Sequence, residues 1–183
     1  MFDHPRKTWS IAVGIMDKEA FFWKIMAGEL PSPKVAATLG IKFQAVDAEA
    51  GTIEVEFQAK PEFTNPTGNV QGGFLAAMLD DTMGPALAAT LAKGEFAPTL
   101  NLNVSFERPA VVGSLSGKGR VVKRGKEGCF LSAELYQEGR ASCLGHRYRH
   151  HSAISPAKPR KWLNPKKFAY FVSAKPSVPP DCW

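Results

Sequence analysis

The residues that most constrain this chain run from Asn65 to Leu91, NPTGNVQGGFLAAMLDDTMGPALAATL. A turn opens the stretch and a helix from about Gly72 to Leu91 follows. Its apolar side chains (Phe74, Leu75, Met78, Leu79, Met83, Leu87, Leu91) cover more than one stripe. A surface helix carries a single apolar stripe, so a helix of this kind must be enclosed by other elements. No run in the chain approaches the ~20 apolar residues of a membrane span, so the enclosing material is protein. Two adjacent aspartates, Asp80 and Asp81, sit in the middle of the helix. Aspartate is a poor helix-interior residue, and an enclosed carboxylate is costly unless paired or hydrated. Neighbours on a helix point about 100° apart, so one lines a cavity or subunit seam while the other is solvated or salt-bridged. Pro85 cannot donate to the carbonyl of Asp81, which predicts a kink near the acids.

The flanks supply the enclosure. Ile41–Ala48 and Thr52–Gln58 read as strands joined through Glu49-Ala50-Gly51, with Ile53, Val55 and Phe57 on one face. After the helix, closed by Lys93 and Gly94, Thr99–Phe106 places Leu100, Leu102, Val104 and Phe106 on one face. Ser114–Lys123 and Gly128–Tyr136 form a hairpin across Arg124-Gly125-Lys126-Glu127, and Ala141–Arg149 returns. Strands in hairpins make an antiparallel sheet, and one enclosed helix then gives an α+β fold with that sheet wrapped around it. Upstream, residues 17–29 suit a short amphipathic helix capped by Asp17, with Ala20, Phe21, Trp23, Ile25 and Met26 inward. A helical turn ends at Gly40.

Three regions follow: a lead-in over 1–16, a domain over 17–149 and a Pro/Lys-rich tail over 150–183. The tail holds six Lys/Arg against one Asp, so about five of the six net positive charges lie there and the domain is close to neutral. A solvated extension is the plain reading of such a tail, and no nucleic-acid partner is expected. Three scattered cysteines without a CxxC pair suggest neither a disulfide framework nor a zinc ribbon. His146, His150 and His151 sit close in sequence with no carboxylate near them, a cluster more often incidental, so no metal is expected. The opening residues lack an apolar core ending in a cleavage site. No signal peptide is read, and a cytoplasmic, non-membrane protein is expected.

Gly72-Gly73 at a helix start exposes backbone N–H groups without internal partners, where the helix dipole adds partial positive charge. Such donors can stabilise charge developing on a carbonyl oxygen. The same glycines can equally serve tight helix–sheet packing. A carboxylate nearby can act as general base on water or as nucleophile.

Together Asn65, Gln71-Gly72-Gly73 and Asp80 resemble the pattern of PaaI-type (phenylacetate-pathway) acyl-CoA thioesterases of the hotdog superfamily. There an Asn is followed after six positions by His-Gly-Gly, and nine positions beyond the His lies the catalytic acid; here Gln71 stands at the His position. The strand NLNVSFERPAVVGS is also similar, and the likeness covers roughly residues 30–149. It implies a hotdog fold and thioester hydrolysis. Asp80 would be base or nucleophile, and Asn65 would orient the water or the acid. The Gly72 or Gly73 N–H would polarise the carbonyl, and Thr99 would position water from across a dimer seam. It implies a homodimer or dimer of dimers and no separate cofactor, coenzyme A being part of the substrate. Arg108, Arg120, Lys123, Arg124 and Gly125 fall where such proteins hold its phosphates, with Arg124 and Gly125 the preferred pair. Two other readings remain: a dehydratase of 3-hydroxyacyl thioesters, disfavoured because this segment has no His, and a non-catalytic acyl-CoA-binding module.

Overall fold

The computed structural model describes residues 17–125, 128–137, 140–149 and 152–153. The lead-in, most of the tail, His150 and His151 lie outside them.

α1 spans Phe21–Met26, shorter than expected, and its N-cap is Ala20, not Asp17. The Asp17 carboxylate instead accepts the N–H of Glu19 at 3.0 Å and of Lys93 at 2.7 Å, tying the start of the domain to the end of the central helix. Phe22 and Trp23 are the buried pair while Phe21 is exposed. Trp23 Nε1 donates to the carbonyl of Ala89, 3.1 Å away, one of the orphan acceptors at that helix end. α2, Lys34–Leu39, ends as expected on Gly40 in the left-handed conformation (φ 69°).

β1 (Lys42–Asp47) and β2 (Thr52–Ala59) form the first hairpin. β2 alternates cleanly, with Ile53, Val55, Phe57 and Ala59 buried. A 3-10 turn over Pro61–Phe63 leads to the long helix α3, Gly72–Ala88, which runs through Pro85. Then come β3 (Glu95–Phe96), β4 (Thr99–Phe106), β5 (Gly113–Arg124), β6 (Cys129–Gln137), β7 (Arg140–Arg149) and β8 (Ser152–Ala153). The main sheet has the order β1-β2-β5-β6-β7-β4 with every pair antiparallel, and β3 pairs with β8 separately. This is the hotdog arrangement, an α+β fold in which one sheet wraps a single long helix.

α3 lies close on the sheet because β5 is bare where they meet. A Cβ on Gly117 would sit 2.8 Å from Thr82 Oγ1 and from Val55 Cγ2, and one on Gly119 would sit 3.0 Å from Thr82 Cγ2. Thr82 fits there with its hydroxyl donated to the carbonyl of Met78, 2.8 Å away, so no buried polar atom of this side chain is wasted. Around it Phe57, Met78, Leu79, Met83, Leu87, Leu115, Leu131 and Leu135 are fully buried, each worth about 1.5–3 kcal/mol of apolar transfer.

β4 departs from its simple pattern. Leu102 and Val104 join the core, but Leu100 and Phe106 are 54% and 55% exposed. The reason is position: β4 pairs with β7 on one side only, at the end of the sheet. Among the described residues no strand pairs with its other edge, and no helix is long and apolar enough to cross a membrane.

Candidate active site

The mouth of α3 is built by a loop that spends its polar groups on itself. Gly68 takes φ 82° and its N–H donates to the carbonyl of Asn65 at 2.9 Å, closing the expected turn. The Asn65 side-chain oxygen accepts Thr67 N–H at 3.0 Å, Thr67 Oγ1 at 2.7 Å and Asn69 N–H at 3.2 Å. Those donors fix which end of the amide is oxygen, so its NH₂ remains for a ligand. Phe63 stacks on Phe74 with ring centroids 4.2 Å apart, and the Phe63 carbonyl accepts Gln71 N–H at 2.8 Å. Val70 N–H donates to the Ala110 carbonyl at 2.7 Å, pinning the loop to the β4–β5 connection.

Gln71 is the N-cap of α3, yet its exposed side chain makes no cap hydrogen bond. Its backbone carbonyl does the local work, accepting Phe74 N–H at 2.9 Å and Leu75 N–H at 3.3 Å. The N–H groups of Gly72 and Gly73 have no acceptor among the described residues. The two glycines differ in what surrounds them. A Cβ on Gly72 would come within 3.0 Å of the tip of the Phe106 ring, whereas one on Gly73 would meet nothing within 4 Å. Packing among the described residues therefore accounts for Gly72 and not for Gly73. At Gly72 opens a cleft of about 380 Å³, lined by Asn65, Gly72, Leu75, Phe106 and Arg108 among others.

Asp80 lies elsewhere. Seven positions along α3 from Gly73, it stands about 10 Å further down the axis at ~1.5 Å per residue. The free N–H groups point the other way, out of the helix start. Asp80 is half-buried, and the Thr99 hydroxyl donates to its Oδ1 at 3.4 Å. Thr99 thus meets the acid of its own chain, where the resemblance placed it across a seam. The candidate residues fall into two groups, Asn65, Gly72 and Gly73 near the Phe106 end of β4 and Asp80 with Thr99 at the other.

The cations divide in the same way. Arg108 is exposed on the cleft rim. Arg120 is exposed on β5, with Lys123 and Arg124 at that strand's far end. Arg124 is already engaged: it donates to the Thr90 carbonyl just past α3 and pairs with Glu95 at 3.1 Å. Gly125 gives its N–H to the Gly128 carbonyl at 2.9 Å, and a Cβ there would press within 2.7 Å of that oxygen. Arg124 thus ties the end of β5 to the turn after α3, and Gly125 closes the hairpin. Arg108, which drew no preference in the sequence, stands open beside the cleft. Asn69, another rim residue, carries no signal in sequence beyond its place in the turn. Among the described residues no three His, Cys, Asp or Glu groups converge as a metal site.

Residues 67–144 match the family model "Thioesterase superfamily". The phenylacetic acid degradation-related protein of Ralstonia eutropha JMP134 is 44% identical and superposes with a TM-score of 0.70 over 71% of this chain and 98% of its own. The PaaI protein of the E. coli phenylacetic acid degradation operon shares the fold at 21% identity, TM-score 0.63, over 73% of this chain and 96% of its own. Human acyl-coenzyme A thioesterase 13 is 28% identical over 112 residues, 60% of this chain and 79% of the human protein. With the open helix start, the cleft and the half-buried acid already in place, these likenesses make the chain a thioester hydrolase that belongs to the thioesterase superfamily, on the hotdog fold and of PaaI-like kinship.

Proposed function

We propose that this protein hydrolyses acyl-CoA or aryl-acyl-CoA thioesters at a site shared by two copies of the chain. The observation that carries the reading is the pair of N–H groups at Gly72 and Gly73 without an acceptor among the described residues, at a helix start where Gly72 lines a cleft. A thioester oxygen placed there would receive both hydrogen bonds and the positive end of the helix dipole, most strongly once it becomes an oxyanion. The Asn65 NH₂ is a further donor for that oxygen or for the attacking water.

The acid comes from a second copy, because Asp80 is two turns away from the glycines of its own helix. The free edge of β4 runs from Thr99, beside Asp80, to Phe106, beside Gly72. Two such edges pairing antiparallel about a two-fold axis set Thr99 of one chain against Phe106 of the other. Each Asp80 then approaches the glycines of the other copy. The exposed Leu100 and the edge of β4 that no described strand pairs with are what such pairing would cover.

Asp80 acts as general base or as nucleophile. As base it takes a proton from water while the water oxygen bonds to the carbonyl carbon. The oxyanion collapses, the C–S bond breaks, and the thiolate leaves and is protonated, giving a carboxylic acid and free coenzyme A. Arg108, with Arg120 and Lys123 of the other copy, supplies positive charge for the coenzyme's phosphates. A cytoplasmic setting fits this substrate. The test is thiol release from a panel of short, medium, long and aryl acyl-CoAs, with Asp80→Asn expected to lose about 100-fold or more in kcat. No release across the panel, or turnover untouched by the substitution, refutes the assignment. The first result leaves a non-catalytic acyl-CoA-binding module.

A further inference from the structure

Phe106 stands out in a search beyond the acid and the glycines. It is a large apolar side chain more than half exposed, yet its ring is held against a bare α-carbon. The three nearest atoms to a Cβ built on Gly72 are its Cζ at 3.0 Å, Cε1 at 3.3 Å and Cε2 at 3.5 Å. The ring occupies the space any other residue at position 72 would fill. It lines the cleft together with Val70, Leu75 and Ala110.

We propose that Phe106 determines acyl selectivity, admitting groups that are flat or unbranched at the carbon next to the thioester carbonyl and rejecting α-branched ones. The inference rests on the oxyanion role of Gly72 and Gly73. A carbonyl oxygen bonded to those N–H groups at ~2.9 Å places its carbon within one more bond of the helix start. The ring flanks that start at van der Waals distance. A methylene chain or an aryl ring can lie along the flat face of Phe106, where stacked or edge contacts are favourable. A methyl branch at the α carbon projects into the ring, which its close contact with Gly72 keeps from moving toward the helix.

The experiment uses the full-length protein and matched acyl-CoA pairs: butyryl and isobutyryl, octanoyl and 2-methyloctanoyl, phenylacetyl and 2-phenylpropionyl. The readout is the ratio of kcat/KM for the branched over the straight member. Phe106→Ala is expected to raise this ratio about tenfold, the lower end of what one methyl group is worth in a tight pocket. Phe106→Leu, which keeps apolar bulk but not the flat face, should shift it in the same direction by less. Gly72→Ala should also change the ratio by displacing the ring, and should change it no further in the Phe106→Ala background, where the obstructing atoms are gone. An unchanged ratio in Phe106→Ala and Phe106→Leu, with wild type hydrolysing the straight substrates, overturns the selectivity role and leaves the thioesterase assignment standing. Absence of wild-type hydrolysis overturns both. If Phe106→Ala falls to monomers in sedimentation, or Gly72→Ala acts equally in both backgrounds, the ring serves another purpose and the proposal fails.

Discussion

The separation of Asp80 from the glycines of its own helix makes a sharp prediction about mixed oligomers. Gly73→Pro removes one free N–H at the second position of α3. A Cβ at position 73 meets nothing within 4 Å, and the first turn of a helix is where proline is tolerated. Asp80→Asn removes the acid. Each homo-oligomer should lose about 100-fold or more in kcat, the usual scale for a lost oxyanion donor or general base. Now co-express the two variants with different tags and purify the species that carries both. If Asp80 serves the glycines of the other chain, one of its two sites combines intact glycines with an intact acid, and the other combines both lesions. The doubly tagged dimer should recover about half of wild-type activity by this symmetry. If one chain supplied the whole site, each site would carry one lesion and the mixed dimer would be as inactive as its parents. The ~10 Å between Gly73 and Asp80 along the helix argues against that second arrangement. Thiol release by the doubly tagged dimer at the level of the parents refutes the shared site, as does a wild-type protein that sediments as a monomer.

Other outcomes follow from contacts that hold the fold. Gly117→Ala forces a methyl group to 2.8 Å from Thr82 Oγ1 and Val55 Cγ2 and should lower stability by about 1–3 kcal/mol in chemical denaturation. Trp23→Phe removes the indole donor from the Ala89 carbonyl while keeping an aromatic ring, with an expected loss of about 1 kcal/mol. Arg124→Met should lower the melting temperature while leaving KM for acyl-CoA within about twofold, since the guanidinium ties the end of β5 to the turn after α3 and pairs with Glu95. Arg108→Met should instead raise KM without changing the melting temperature. Opposite results would return Arg124 to the phosphate site. Gln71→His should leave stability unchanged, because the Gln71 side chain caps nothing.

What could be read from the sequence follows from where the physics is local. The all-round apolarity of residues 72–91 required an enclosing shell, and the hairpin patterns named an antiparallel sheet as that shell. β2 was legible to the residue because its neighbours cover both edges and one face, so burial follows alternation. β5 was legible as a strand, but its inward face shows Leu115, Gly117 and Gly119, and no apolarity scale announces that glycines are buried to seat Thr82. Arg124 and Arg108 look alike in a sequence, since which guanidinium is free depends on a carbonyl thirty-four residues away, that of Thr90.

The spacing of Asn65, Gln71 and Asp80 carried the family likeness and concealed the geometry. Residues nine or fifteen positions apart read as one cluster, yet α3 holds the acid and the donors two turns apart. A long helix gives each of its ends a different neighbour, and the antiparallel edge of β4 is the element that can bring opposite ends together in two copies. On that reading the exposed Leu100 and Phe106, the edge of β4 that no described strand pairs with and the open space at Gly73 have one cause: each is a surface whose partner is another copy of this chain or the substrate held between them. Phe106, at the junction of edge, cleft and glycine, is where oligomer geometry and substrate choice meet.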